Sequence, residues 1–326
     1  MKSKSKIFII SLIILSVILL IFTFNKKKNN LVKIGLIQII DHDSLDQSRG
    51  GFIDRLAKLG YIDKKNIEID YQNAQGDISN CNLIANKLVK NSSLILAIST
   101  PAAQSVSNLT NEIPILVTAV TDPEKAGLVN KNSKPGKNVT GTSDFVSPEK
   151  YMNLIDKLFE NKPKIGILYC SSEQNSKDQI DNTLKEAEKL NLQTEIFTVS
   201  QATDIQSVVS SMSNKKVEVI YVPNDNLIVS SMPLVYKTAT SLNIPIISSE
   251  VNSVKNGALA TYGIDYYELG KITADQAVEI IEKKNFPENM PIRYIENTKL
   301  FLNKNTIEKL NIKIPEELKS QAEVIQ

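Results

Sequence analysis

From Val32 onward, short runs of apolar, mostly β-branched residues alternate with longer stretches whose apolar positions recur every three or four residues. A short run that is apolar on both faces suits a strand buried on both sides, and the three-to-four spacing suits an amphipathic helix. Alternation of the two points to a parallel sheet covered by helices. The first half predicts strands over Val32–Ile40, Asn66–Tyr71, Leu94–Ser99 and Pro114–Thr118, with helices over Ser44–Leu59, Ile78–Val89 and Pro101–Leu109. The second half predicts helix Gln174–Leu190, strand Leu192–Val199, helix Asp204–Met212, strand Val217–Val222 and helix Val229–Leu242.

The two halves follow one script. Lys33-Ile34-Gly35-Leu36-Ile37 returns as Lys164-Ile165-Gly166-Ile167-Leu168, and Ile113-Pro114-Ile115-Leu116 returns as Ile244-Pro245-Ile246-Ile247. Both returns come at an offset of 131 residues. Two matches at one offset, bracketing the same order of elements, imply a pair of similar α/β lobes. The fold class expected is therefore α/β, with two similar doubly wound parallel-sheet lobes. The Gly-, Ser- and Thr-rich stretch Asn138–Pro148 reads as the hinge, with a second crossing near Tyr262–Tyr266. The tail reads as helix Tyr267–Lys283, strands Pro291–Ile295 and Lys299–Phe301, and a helix from Asn305. The expected division is 31–145 plus about 266–297 for lobe 1, and 146–265 plus about 298–326 for lobe 2.

Residues 1–30 change the picture of where the protein works. Lys2, Lys4 and Lys6 precede an apolar run from Ile7 to Phe24, and Lys26-Lys27-Lys28 follow it. A basic start with an apolar core is an export signal. The run is near the shortest length that spans a bilayer. It ends in Phe22-Thr23-Phe24 rather than small residues, and the first cysteine is Cys81. That predicts an uncleaved membrane anchor holding the body outside the cytoplasm, or a secreted protein if the segment is cleaved.

Charge and cysteine content then exclude several classes. The chain has 38 basic and 36 acidic residues; without the six lysines of the leader, 32 basic face 36 acidic. A mildly acidic body with no basic stripe argues against nucleic acid. Cys81 and Cys170, one in each half, predict free thiols rather than a disulfide scaffold. One histidine and two distant cysteines leave no metal site of the usual kind, and neither a Walker loop nor a G-x-S-x-G elbow is present. The expectation is a binding protein with no cofactor, not an enzyme.

In open parallel sheets, ligands sit beyond the carboxyl ends of the strands, which with two facing lobes means the cleft between them. The strand ends nominate Gln38 and His42 after the first strand; Ser99, Thr100, Pro101 and Ala102 after the third; Thr121 and Asp122 after the fourth; and Ser143 and Asp144 at the crossing. Thr100 is a good N-cap with Pro101 at the first helical position, and free N–H groups there favour a small anion. Thr121 or Asp122 is expected to cap a short helix of its own. The second lobe answers with Glu173 and Asn175, then Asn224, Asp225 and Asn226, then Glu250. Hydroxyls and a helix start on one wall, carboxylates and amides on the other, suit a ligand carrying a carboxylate and an ammonium.

Ser99-Thr100-Pro101-Ala102-Ala103-Gln104, Thr121-Asp122-Pro123, Asn138-Val139-Thr140-Gly141, Glu173-Gln174-Asn175-Ser176, Pro223-Asn224-Asp225-Asn226 and Tyr262-Gly263-Ile264-Asp265-Tyr266-Tyr267-Glu268-Leu269-Gly270 together resemble the tryptophan/tyrosine-type substrate-binding proteins of ABC importers. The likeness runs from about Val32 to Ile314. It implies the type I periplasmic-binding fold with three crossovers and an aromatic amino acid as ligand. It also implies an ABC permease and its ATPase as partners of a monomeric capture protein. On this reading Ser99, Thr100 and Thr121 hold the carboxylate, Asp225 and Asp265 take the ammonium, and Tyr266, His42 and residues near Asp144 flank the side chain. The absence of a lipobox cysteine departs from the family pattern and leaves attachment to the apolar leader. The alternative function is a ligand-sensing extracellular module that reports to a membrane signalling partner.

Overall fold

The computed structural model describes residues 31–326. The expected anchor, residues 1–30, lies outside the described residues. Among the described residues, no helix is long and apolar enough to cross a membrane.

Lobe 1 begins with β1 (Val32–Gln38), α1 (Asp43–Lys58), β2 (Ile67–Asn73), α2 (Ile78–Asn91), β3 (Leu94–Ile98), α3 (Thr100–Ser107) and β4 (Ile115–Val120). β5 (Val139–Ser143) then completes the run. Lobe 2 runs through α4 (Pro148–Leu158), β6 (Ile165–Cys170), α5 (Gln174–Lys189), β7 (Thr194–Val199), α6 (Ile205–Ser211), β8 (Val219–Val222), α7 (Asn226–Ser230), α8 (Met232–Ser241), β9 (Ile246–Ser248), α9 (Val251–Lys255) and β10 (Ala260–Gly263). The tail gives α10 (Tyr266–Ile281), β11 (Arg293–Tyr294), β12 (Lys299–Asn303), α11 (Lys304–Lys309), α12 (Glu316–Gln321) and β13 (Ala322–Ile325).

Two sheets result, in the orders β11-β5-β4-β3-β1-β2 and β13-β12-β10-β9-β8-β6-β7. The inner order 5-4-3-1-2 of the first repeats as 10-9-8-6-7 in the second, so the 131-residue offset is the trace of two lobes with one topology. Every pairing is parallel except β10 with β12. The chain passes between sheets after β5, after β10 and after β11. The core strands are apolar on both faces: β3 and β4 are buried at every position.

Two local expectations need correction, and one gains detail. The stretch read as the hinge holds β5, whose five residues are all buried, before the crossing that leads to the start of α4 at Pro148. Its Thr and Gly residues hid a strand because Gly141 takes φ 142° where a Cβ would meet the Val117 carbonyl oxygen at 2.0 Å. The helix expected over Val229–Leu242 is two helices broken at Ser231, with Pro233 in the first turn of the second, where its missing N–H costs no bond. Thr121 and Asp122 start no helix. A series of turns follows, with Asp122 Oδ1 accepting from the Lys125 N–H at 3.1 Å.

Packing of α10 against α1 carries the chain's return to lobe 1 back to the cleft. A Cβ on Gly270 would meet the Ser48 carbonyl oxygen at 1.9 Å, and one on Gly51 the Tyr267 carbonyl oxygen at 2.0 Å. The two helices therefore touch backbone to backbone, and Ser48 Oγ donates to the Tyr266 carbonyl at 3.2 Å. This contact sets the start of α10, with Tyr266, beside the start of α1, with His42 and Ser44.

Candidate functional site

The carboxyl ends of the two sheets face each other across a closed cleft. Asn224 Nδ2 of lobe 2 donates to Thr121 Oγ1 of lobe 1 at 3.3 Å, and Ser44 Oγ of lobe 1 donates to Glu250 Oε2 of lobe 2 at 2.6 Å. His42 Nδ1 lies 4.0 Å from the same Glu250 oxygen.

On the lobe 1 wall, Ser99 precedes α3 with φ 87° and ψ 159°, a region that L residues occupy at a cost of order 1–3 kcal/mol and that tends to mark functional sites. It is fully buried and its Oγ has no hydrogen-bond partner. Ser99, not Thr100, holds the N-cap position, and its hydroxyl makes no cap. Thr100 is the first helical residue, so its N–H and that of Ala102 sit in the first turn, where no intrahelical carbonyl reaches them; Pro101 between them has no N–H. Strain, an unused hydroxyl and a bare helix start coincide at one point.

Asp144, just past β5, accepts from the Tyr266 hydroxyl through Oδ2 at 3.0 Å, while its buried Oδ1 accepts nothing. The carboxyl lies against Thr121, Tyr266 and Asn224; burial pushes its pKa up against those contacts. Across the cleft, Asn175 and Asn224 each leave a buried Oδ1 without a donor. They belong to one cluster, since Asn175 Nδ2 donates to the Asn224 carbonyl at 2.8 Å. His42 has both ring nitrogens buried and unpartnered, and burial lowers its pKa to about 4. It therefore stays neutral at pH 7.

Other nominated residues are committed elsewhere. Gln38 spends its amide within lobe 1, donating to Ile40 O and Asp46 Oδ1 and accepting from Arg49. Ser143 Oγ donates to the Thr121 carbonyl at 2.7 Å and accepts from the Phe145 N–H; it braces Thr121. Glu173 accepts from the backbone N–H groups of Asn226 and Leu227 and from the side chains of Asn175 and Asn226. Pro101 and Ala102 are buried wall, with no polar side-chain atom to offer.

Two expectations about the ammonium fail on geometry. Asp225 caps α7 through the Ile228 N–H at 2.9 Å, and its other oxygen accepts from the Cys170 N–H at 2.6 Å and from Ser176 Oγ at 2.7 Å. It ties β6, α5 and α7 together inside lobe 2, and burial beside Glu173 pushes it up to about 8. Asp265 is exposed and caps α10 through the Glu268 N–H at 3.0 Å. A strand-end position signals proximity to the cleft, but not which way a carboxylate turns. Sequence reading also missed Ser44 and Asn252, whose only signal was that each sits at a helix start following a cleft loop.

Beside the cluster, a cavity of about 330 Å³ runs between the lobes from Pro101, Glu173 and Asn226, with Ile39, Ile40 and Leu227 among its walls.

Residues 33–325 match the model of the family described as ABC transporter substrate binding protein. The chain belongs to this family. A "Tyrosine-binding protein" of Clostridioides difficile (strain R20291) is 44% identical to this ABC substrate-binding protein over 291 residues, 89% of this chain and 83% of that one. A solved ABC domain from Streptococcus pneumoniae in complex with L-Trp has 38% identity and a TM-score of 0.87, covering 91% of this chain and all of the other. A ligand-free, open substrate-binding protein with adhesive properties from Clostridium difficile has 40% identity, with 91% and 99% covered, yet a TM-score of only 0.68. At nearly equal identity the chain superposes far better on the ligand-bound relative. The cross-lobe hydrogen bonds above hold the two lobes of this substrate-binding protein closed.

Proposed function

We propose that this substrate-binding protein captures a free aromatic amino acid outside the cytoplasm, in the cleft between its lobes. It then presents the closed complex, as a monomer, to an ABC permease and its ATPase. The observation that carries the ligand class is the set of buried, unpartnered polar atoms. Buried polar groups in native proteins are almost always paired, so several orphans gathered from both lobes in one cleft describe a ligand's complement.

The chemistry divides by type. Three orphans are acceptors, namely Asp144 Oδ1, Asn175 Oδ1 and Asn224 Oδ1, and an α-ammonium carries three N–H donors. Ser99 Oγ is a donor, and it stands at the bare start of α3, where the helix dipole favours negative charge. It takes the α-carboxylate with the N–H groups of Thr100 and Ala102. Asp144 replaces Asp225 and Asp265 as the ammonium's charged partner. The aromatic side chain fits the apolar part of the neighbouring cavity, as the tyrosine and L-Trp ligands of the relatives suggest, with Asn226 at its edge.

Calorimetry of residues 31–326 tests the reading with L-tyrosine, L-tryptophan and L-phenylalanine beside tyramine and 3-(4-hydroxyphenyl)propionate. At least one aromatic amino acid binds, and both analogues lose at least a hundredfold because each leaves one half of the cluster unpaired. An analogue that binds as tightly as its parent amino acid overturns the assignment of that end. Binding of a sugar or nucleoside in place of every amino acid overturns the ligand class.

A further inference from the structure

Ser44, Glu250 and Asn252 form a second polar cluster across the cleft, joined to one another by hydrogen bonds. Ser44 sits in the first turn of α1 in lobe 1, while Glu250 and Asn252 sit at the start of α9 in lobe 2. Ser44 Oγ donates to Glu250 Oε2 at 2.6 Å and accepts from Asn252 Nδ2 at 3.1 Å. Gln47, one turn along α1, donates to Asn252 Oδ1 at 3.5 Å. Ser44 is completely buried, and Glu250 and Asn252 are 4% and 3% exposed. The cluster borders a hollow that also touches Gly263, Ile264 and Tyr266, so it lies beside the second crossing.

These residues differ from the orphan group in one respect that matters. Ser99, Asp144, Asn175 and Asn224 each leave an atom without a partner, whereas Ser44 Oγ has both a donor and an acceptor partner, and so does the side chain of Asn252. Ser44 Oγ and the Asn252 amide leave a ligand no open group to complete. The bonds run between helix starts on opposite lobes, so they exist only while α1 and α9 are together.

We propose that the Ser44–Glu250–Asn252 cluster is a latch between the lobes that sets ligand affinity by stabilising the closed form, without touching the ligand. A latch favours closure equally whatever fills the cleft. Affinity is reduced by the fraction of molecules in the binding-competent form, so loosening the latch weakens every ligand by one factor. This rests on the binding function proposed above but not on the ligand's identity, because closure is measurable with the cleft empty.

The test uses Ser44→Ala and Asn252→Ala in the body of residues 31–326, with spin labels or fluorophores on exposed Leu83 of lobe 1 and Ile196 of lobe 2. Inter-lobe distance distributions are recorded with and without ligand, and affinities are measured for L-tyrosine, L-tryptophan and L-phenylalanine. Each variant should shift the ligand-free distribution to longer distances. Each should weaken all bound ligands on the order of tenfold, about the effect of one or two net hydrogen bonds, with their ranking unchanged. Glu250→Gln, which keeps an acceptor for Ser44, should stay closer to wild type than Glu250→Ala. A changed ranking among ligands makes these residues ligand contacts and overturns the proposal. So does an unshifted ligand-free distribution in variants whose circular dichroism is native. If no aromatic amino acid binds the wild type, the ligand reading has failed, and the ligand-free distances still decide the latch.

Discussion

Asp144→Asn is the sharpest perturbation of the proposed site. The side chain keeps its shape and an acceptor for the Tyr266 hydroxyl, which stands 3.0 Å from Oδ2; the charge is lost, and the second acceptor oxygen becomes an NH2 donor. Truncating one partner of a buried, hydrogen-bonded charge pair costs about 2–5 kcal/mol, or roughly 30- to 4000-fold in Kd at 1.4 kcal/mol per decade. The ligand-free protein should respond in the opposite sense. Burial raises the Asp144 pKa, so the empty site holds its charge at a cost, and removing the charge relieves it. Calorimetry should therefore show strongly weakened binding of the aromatic amino acid, while thermal melting of the empty protein shows an unchanged or higher Tm. Tyr266→Phe should weaken binding by a smaller factor, since it removes one neutral donor that orients the carboxylate. Asp225→Asn supplies the contrast. Its three donors lie within lobe 2, so it should lower Tm by several degrees and change Kd little when measured below the transition. An Asp144→Asn affinity within threefold of wild type refutes the assignment, as does a loss of binding that merely tracks a loss of Tm.

Ser99→Gly should raise the Tm of the empty protein by relieving φ 87°, a strain of order 1–3 kcal/mol, and should weaken binding by removing a carboxylate donor; a variant that is less stable contradicts the strain. Gly270→Ala should destabilise by about 2–4 kcal/mol in urea unfolding, because a Cβ there would stand 1.9 Å from the Ser48 carbonyl oxygen, and a neutral result would mean the α1–α10 contact is loose. Stability should fall as pH rises from 6.5 to 8: burial first, then the carboxylates of Asp144, Glu173 and Asp225, push Glu250 up to about 8 against the Ser44 hydrogen bond. A raised acid contributes stability fully below its unfolded pKa near 4.5 and loses it up to its folded value, by at most about 1.4 kcal/mol per pH unit. Asp225 acts in the same direction, while His42, lowered to about 4, acts in the opposite sense only below about 6.5, outside this window. Glu250→Gln should flatten the Tm-against-pH slope there, and an unchanged slope would show that other groups carry it.

Much of this protein is written locally, and that part was legible in the chain. Strand runs buried on both faces, helices between them and one offset shared by two separate pairs of motifs imply two parallel-sheet lobes, because burial on both faces needs helices on both sides. The rule that ligands sit beyond strand ends follows from the same topology, and it brought Ser99, Asp144, Asn175, Asn224 and His42 into view. Which of those residues keeps a free atom is a matter of contacts between segments far apart in sequence. Asp225 and Asp144 look alike in the chain, each an acid in a polar stretch expected at the cleft. They part only when β6, α5 and α7 converge on the first and saturate it, while the second keeps one buried oxygen without a donor. The latch joins Ser44 to residues more than two hundred positions away, and no periodicity carries that pairing. Backbone pattern is set by near neighbours and solvent, so the sequence alone determined the lobes and the place of the cleft. Hydrogen-bond satisfaction is set by whatever the closed fold brings within 3 Å, so only the tertiary structure decided which polar groups hold the structure, which join the lobes and which are left for a ligand.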